Sequence, residues 1–557
     1  MLLYFRELPQ LSRDHWKPYF AKTFDVFTKL WRFQQVHRRI LEHHISLRRW
    51  QIGEIASRIG QLYYHYYLRT SEANYLQEAF TFYSAIRSRK YFSMLQQHSS
   101  SSSTKESHFV PDDFSEHSLQ NLTLKILRYY ARFIVVSLML DNMHMVRELA
   151  TELDELCTSI LNANDPSEEN QAEWKLLVKD VDSFLKAYLY WPAREKVGSY
   201  RLGSSRSLLV TPTKYSYRLQ EAVIVGCSFD QVKFGEVTID MCRVAQSLEH
   251  EFSLNLHAEF QHSASIMLKS DIISSIDIQR KNPHKTLLYK PTFGAIYSTL
   301  SNSFRELRSS NVMLMYFSCD RVCYSKDKHI SIFTGDGLRT NNRLHDGSEV
   351  LLNAQKCKAD PHCIYREDIY PFMRKPCVLI VDSPASSQFE GMPCEMFGQP
   401  FVSLLSPVTV PDIICNENIT GRLLTLFLTS PITAMCLLCR FTYTDRPTKS
   451  DIRALETATG QTVEILAFIH SKVMHIHHHS EEFGFIRFYS DQVLATLLNR
   501  FLLFAITLSM DRRFNLNCNQ PRCQPSIPNE VFNDRHIRKS ILELCSTLRA
   551  HHHFELH

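Results

Sequence analysis

The sequence predicts a multidomain α+β protein: an N-terminal helical bundle, built of tetratricopeptide-like hairpins at most, followed by a Rossmann-like α/β domain with C-terminal helices. Three observations predict it. Apolar and aromatic residues recur at helical spacing through roughly residue 190. Gly, Ser, Pro and Arg then interrupt all periodicity, which places a linker over residues 196–218. Beyond it, short continuous apolar runs alternate with helical segments, the pattern of strands buried on both faces of a parallel sheet. At 557 residues, 44% of them hydrophobic and 22% charged, the chain is long enough to bury several cores without covalent staples.

The first domain is assigned to residues 1–195. Phe24, Phe27, Leu30, Trp31 and Phe33 recur at helical spacing. Ile52, Ile55, Ile59 and Leu62 repeat the pattern after Trp50 and run into Tyr63, Tyr64, Tyr66 and Tyr67. The polar break Arg69-Thr70-Ser71-Glu72 separates this helix from another over Tyr75–Phe92, so the two form an αα-hairpin. Gly60, Tyr63, Leu76 and Ala79 fall at tetratricopeptide spacing, but no second copy follows at the required period. A second hairpin covers Leu122–Leu140, a turn at Asp141-Asn142 and Met143–Leu161. Between the hairpins, the serines Ser99 to Ser103 predict a mobile loop over residues 97–118.

The second domain is assigned to residues 219–557. Val223–Val225, Val312–Phe317, Cys377–Val381 and Phe401–Leu405 read as buried strands, with helices over Phe234–Glu249 and Phe293–Leu307. After Arg422 the chain is helical through Leu508 and again over Ile537–Leu548. Two apolar stretches, 423–439 and 493–510, approach membrane-spanning length. Pro431 interrupts the first, and Arg500 sits at the centre of the second, where lipid would make it costly. Both read as core helices, and no membrane span is favoured.

The net charge of +5 is mild for the length and marks no dedicated nucleic-acid binder. Arg38, Arg39, Arg48 and Arg49 form a local basic group that reads first as a solvated helix face and second as a nucleic-acid contact. The 15 cysteines sit mostly in apolar runs, and Met1 to Arg6 lacks the features of a signal peptide, so a reducing compartment is expected.

Asp382 closes a predicted strand, the place where open α/β sheets bind ligands. The following Ser383-Pro384-Ala385-Ser386-Ser387 resembles an Asp-x-Ser-x-Ser cation site, but Pro384 supplies no side-chain oxygen, so a turn or helix cap is the favoured reading. His475, His477, His478, His479, His551, His552 and His553 cluster without zinc-site spacing. Cys436 and Cys439 read as buried thiols, and Cys518 and Cys523 as loop residues. No glycine-rich phosphate cradle or nucleophile elbow is present. The expectation is therefore no catalytic residue, no cofactor and no metal, with Asp382 as the site of a diverged enzyme or of a nucleotide- or ion-binding protein in the alternative. Trp50, Tyr63, Tyr64, Tyr66 and Tyr67 are the candidate partner-binding residues, weighed against packing between the hairpins.

Several long blocks resemble one family. Arg49-Trp50-Gln51-Ile52-Gly53-Glu54-Ile55-Ala56-Ser57 and Ile59 to Glu72 are similar to the SCAI (suppressor of cancer cell invasion) signature. So are Phe82 to Arg87, Leu127 to Val136, Asn282-Pro283-His284-Lys285, Leu288 to Phe293 and Phe397-Gly398-Gln399-Pro400. The resemblance implies a transcriptional co-repressor of the nucleus and cytoplasm. Such a protein binds serum response factor with its myocardin-related coactivators and restrains Rho-dependent migration. It also implies a link to DNA double-strand break repair proteins, and carries over no catalytic residue. The Ser99–Ser103 insert, the stretch Leu254–Ile278 and the histidine runs depart from the family pattern.

Overall fold

The computed structural model describes residues 13–44, 48–92, 116–163, 176, 179–187, 216–249, 282–321, 337–341, 363–394, 396–411, 414, 416–441, 448–479, 484–514 and 519–555. The chain divides into two units, Met1–Ser183 and Phe184–His557. Residues 97–115 of the Ser-rich segment and 196–215 of the linker lie outside the described residues. Glu116 already opens a helix, so residues 116–118 are not loop, and Arg218 opens a strand.

In the first unit, α1 (Arg13–Val36) and α2 (Arg38–His44) follow one another through hydrogen bonds from His37 N to Phe33 O and from Leu41 N to His37 O. Helices α3 (Arg49–Thr70) and α4 (Ala73–Ser88) form the first hairpin. Ser71 turns the chain at φ 55° and donates its N–H to Tyr67 O. Helices α5 (Glu116–Met139) and α6 (Met143–Ala163) form the second, with Asp141 at φ 60° and Asn142 Oδ1 accepting from Met145 N. Both turns fall on polar breaks in the apolar pattern, where the side chains compete for backbone hydrogen bonds. Gly60 is what lets α3 approach α4: a Cβ there would stand 2.9 Å from the Tyr83 ring. Tyr83 in turn packs on Tyr129 and Phe133, and Tyr129 Oη donates to Tyr83 O. Arg87 and Tyr130 both donate to the Glu152 carboxylate, which joins α4, α5 and α6.

The second unit is built on a six-stranded sheet. Its strands are β1 (Arg218–Cys227), β2 (His284–Tyr289), β3 (Asn311–Cys319), β4 (Cys377–Asp382), β5 (Phe401–Leu405) and β6 (Arg522–Gln524). Their order is β6-β5-β4-β3-β1-β2, all parallel except β6. The parallel part is therefore 2-1-3-4-5, a doubly wound order distinct from the 3-2-1-4-5-6 order of dinucleotide-binding units. β1, β3, β4 and β5 are the four predicted strands, each almost wholly buried. Cys523, expected in a loop, lies in β6 opposite Leu404, because a three-residue polar edge strand carries no apolar run to reveal it.

The longer helices of this unit are α7 (Ile239–Ser247), α8 (Phe293–Glu306), α9 (Leu423–Thr429), α10 (Pro431–Leu438), α11 (Lys449–His479), α12 (Gln492–Met510) and α13 (Arg535–Thr547). α7 starts later than the expected Phe234, because Lys233–Phe234 and Val237–Thr238 form a small hairpin around Gly235 at φ 60°. One sheet face, with Val223, Met315, Phe317 and Leu379, forms a core with Ile296 and Leu300 of α8. On the other, Gly226 lies against Met241 of α7 and Tyr316 reaches Thr425 of α9. Among the described residues, α12 alone is long and apolar enough to cross a membrane, at mean hydropathy 1.8, yet 89% of that window is buried inside the fold. Its Arg500 donates to the carbonyls of Leu428 and Thr429, 2.8 Å each, at the carboxyl end of α9.

Candidate functional site

Doubly wound sheets receive ligands in the crevice beyond the carboxyl ends of their strands, where the winding reverses. Here the reversal falls between β1 and β3, with β4 alongside. The space is filled by the chain's own Arg422 and the first turn of α9. Asp382, the last residue of β4 and 2% exposed, accepts from Thr425 N at 2.8 Å and from Thr425 Oγ1 at 2.7 Å. Thr425 Oγ1 also meets Tyr316 Oη at 2.5 Å. Asp240, in the first turn of α7, accepts from Arg422 N at 3.2 Å, Gln231 Nε2 at 2.6 Å and Ser318 Oγ at 3.1 Å. The Arg422 guanidinium is held by Asp320 at 2.9 Å and Glu417 at 3.1 Å, and it donates to Ser228 Oγ and Cys319 O.

Two carboxylates, one ending a strand and one opening a helix, thus accept from Arg422 N and Thr425 N at the start of α9, while Arg500 takes the carbonyls of Leu428 and Thr429 at its end. Thr425 N, Arg422 N and the terminal nitrogens of Arg422, which would greet an anion in such a crevice, are bonded within this protein, whereas the buried Arg422 Nε has no partner among the described residues. Burial pushes the Asp382 carboxyl up to about 7, with Arg422 opposing and Asp240 adding to the rise. Asp240 is also pushed up by burial, against the pull of Arg243. For Arg422, burial works against the charge, but Glu417, Asp382, Asp320 and Asp240 outweigh it and hold the guanidinium firmly protonated.

The serines after Asp382 are turned the other way. Ser383 N donates to Ser406 Oγ and Ser386 Oγ donates to Ser406 O, bracing the turn that follows β5. A turn does follow β4, one of the two readings favoured from the sequence, while the Asp382 carboxylate reaches the first turn of α9 about forty residues later. Among the described residues, no group of three or more His, Cys, Asp or Glu is placed to hold a metal ion. His475 is exposed on α11, and the side chains of 477–479 and 551 lie outside the described residues. Burial pushes the Cys436 thiol upward, the reverse of what a reactive Cys-x-x-Cys pair needs.

The candidate partner residues lie in the first unit. Tyr63 and Tyr66 pack against Trp16, Phe20 and Phe24, so the aromatic run of α3 is the seat of α1. Tyr66 further meets Tyr75 edge-on at 4.4 Å. Tyr67 is buried and stacks on Tyr64, which is half-buried. Trp50 is half-buried at the start of α3 with Lys125 Nζ over its ring at 5.4 Å. Of the four arginines singled out in the sequence, Arg38 and Arg49 come together with Arg89 in one cleft, while Arg39 and Arg48 do not line it. Sequence reasoning missed Arg89, Asp240, Asp320, Arg422 and Thr425, none of which carries a local motif.

The chain matches the family model described as "SCAI: Protein SCAI" over residues 2–514. It is 37% identical to Protein SCAI of Homo sapiens and, equally, to that of Mus musculus, each alignment covering 98% of this chain and 85% of the relative. It is 28% identical to a Protein SCAI homolog of Dictyostelium discoideum, over 98% of this chain and 87% of that protein. No solved structure matches.

Proposed function

Because the chain belongs to the SCAI family, we propose that it works by contact rather than by turnover, as a transcriptional co-repressor. It binds the complex of serum response factor with a myocardin-related coactivator, holds that complex inactive and so restrains Rho-dependent cell migration. A second engagement, with DNA double-strand break repair proteins, belongs to the same reading, as does residence in nucleus and cytoplasm. The observation that carries the proposal is a likeness spanning 98% of the chain, both units included. The crevice beside Asp382 supports the contact mechanism, since the Asp382 carboxylate is engaged by Thr425 and the Arg422 guanidinium by Asp320 and Glu417.

The test uses the full chain, tagged and purified, against purified coactivator and serum response factor. Capture of the coactivator, together with reduced output from a reporter driven by serum response factor, is the expected result. Failure to capture it in either order of addition refutes the proposal. A ligand-induced rise in melting temperature with nucleotides or divalent ions, lost in Asp382→Ala, would favour the enzyme or nucleotide-binding alternative instead.

A further inference from the structure

Arg132 of α5 is a charge that the fold does not answer. It is half-buried, and among the described residues none offers its guanidinium a hydrogen bond or a carboxylate. A cation drawn out of water is normally paired, because its lost hydration has to be replaced. Its neighbours add to the cost. Burial, and then the like charges of Arg128 and Arg58, push the guanidinium below its ordinary range, with the Tyr83 phenol opposing. Tyr83 is itself fully buried, its ring against Gly60 of α3, and its Oη has no hydrogen-bond partner among the described residues.

At Glu54 the same two helices show what Arg132 lacks. Glu54 of α3 takes Lys125 of α5 at 2.9 Å and Arg58 of its own helix at 2.5 Å. Burial alone would raise the Glu54 carboxyl, and the two cations hold it below its ordinary value. Lys125, Arg128 and Arg132 follow one side of α5 at i, i+3 and i+7. On α3 the side that begins with Glu54 continues through Arg58, Gln61 and His65, so no second acid follows it. Gln61 Nε2 and His65 Nε2 lie 3.2 Å apart. Glu152 of α6, the other acid that reaches α5, is held by Arg87 and Tyr130. Among the described residues, Lys125, Arg58, Arg128 and Arg132 thus share the one carboxylate of Glu54.

We propose that the seam between α3 and α5 at Arg128 and Arg132 docks an acidic segment of a partner protein, whose carboxylates stand beside these arginines as Glu54 stands beside Lys125. This deepens the co-repressor reading, on which it rests for the existence of a partner. A guanidinium offers a carboxylate two parallel N–H donors, so the incoming acid replaces the hydration that Arg132 has lost. A nucleic-acid backbone, charged at every nucleotide, would be carried along the row onto Glu54.

The test uses the full chain and a fluorescein-labelled peptide of about twelve residues in which Glu and Ser alternate, long enough to span both arginines. Anisotropy is expected to register binding that a twin peptide with Gln in place of Glu does not show. Binding should weaken at least about tenfold in Arg132→Met and, separately, in Arg128→Glu, and stay unchanged in Lys29→Glu, a charge reversal on the surface of α1. Arg132→Met keeps an apolar stem and discards the unanswered charge. Its thermal melting, followed by tryptophan fluorescence, should come within about 2 °C of the parent or above it. A larger fall gives the guanidinium a structural role and overturns the proposal. Absence of binding, equal binding of the Gln twin, or equal loss in Lys29→Glu overturns it as well. An oligonucleotide that binds more tightly than the peptide and loses that affinity in Arg132→Met assigns the seam to nucleic acid instead. A dimer in sedimentation equilibrium that Arg132→Met dissolves assigns it to self-association, and either result overturns the proposal. Coactivator capture that survives both Arg132→Met and Arg128→Glu sinks this inference and leaves the co-repressor reading standing, whereas peptide binding without any coactivator capture does the reverse.

Discussion

Replacing Asp382 by Asn isolates one buried titration in the second unit. In the folded chain the carboxyl is pushed from its ordinary 3.8 to about 7, by burial first and by the Asp240 charge in addition, while Arg422 pulls the other way. A carboxyl raised in this way binds its proton more tightly in the native state than in the unfolded one. Its contribution to stability is complete below about pH 4 and is lost as the pH rises to about 7. One proton is worth about 1.4 kcal/mol per pH unit, so the loss over this interval is about 4 kcal/mol. Asp382→Asn removes the titration and keeps an acceptor for Thr425 N and Oγ1. The variant is expected within about 1 kcal/mol of the parent at low pH, and to gain on it by about 4 kcal/mol by about pH 8.

Urea denaturation of both full-length proteins across that range, followed by far-UV circular dichroism, reads the difference, in which all other titrations cancel. Four of the 5 tryptophans, Trp16, Trp31, Trp50 and Trp174, lie in the first unit, so their fluorescence serves as an internal control that the substitution should leave unmoved. Parallel pH curves for parent and variant would refute the reasoning, because Asp382 would then titrate alike in both states.

Three further outcomes are expected. Arg500→Ala deprives the carbonyls of Leu428 and Thr429 of their donor and should cost about 2 kcal/mol or more in urea midpoint, with Arg500→Lys recovering part of it. Tyr66→Ala removes the ring that Trp16, Phe20, Phe24 and Tyr75 all touch. It should lower the stability of the first unit by about 3 kcal/mol, seen as an earlier tryptophan transition. Gly60→Ala places a methyl group 2.9 Å from the Tyr83 ring. Although alanine favours a helix, a net loss of about 1 kcal/mol is expected by thermal melting.

The fold class was legible in the residue order alone, because that information is local. β1, β3, β4 and β5 are buried on both faces and therefore appear as continuous apolar runs, and the two hairpins are punctuated by polar breaks at Ser71 and Asp141-Asn142. β2 was not legible, since its edge strand opens on His284-Lys285-Thr286, whose polar side chains look like loop although Lys285 and Thr286 are buried. β6 was not legible for the same reason, its partner Leu404 lying more than a hundred residues upstream. Asp382 was visible as a strand-end acid, but its role was decided by Thr425, Asp240 and Arg422, which come from separate elements and carry no shared spacing. Likewise, the spacing of Phe24, Phe27, Leu30, Trp31 and Phe33 marked a helix, and only the packing of Trp16, Phe20 and Phe24 on α3 settled which side of it was spent on the core. Short-range patterns specify secondary structure because backbone geometry repeats every two or 3.6 residues. A hydrogen-bonded centre assembled across distant elements has no period, so the three-dimensional packing alone determined which charges meet.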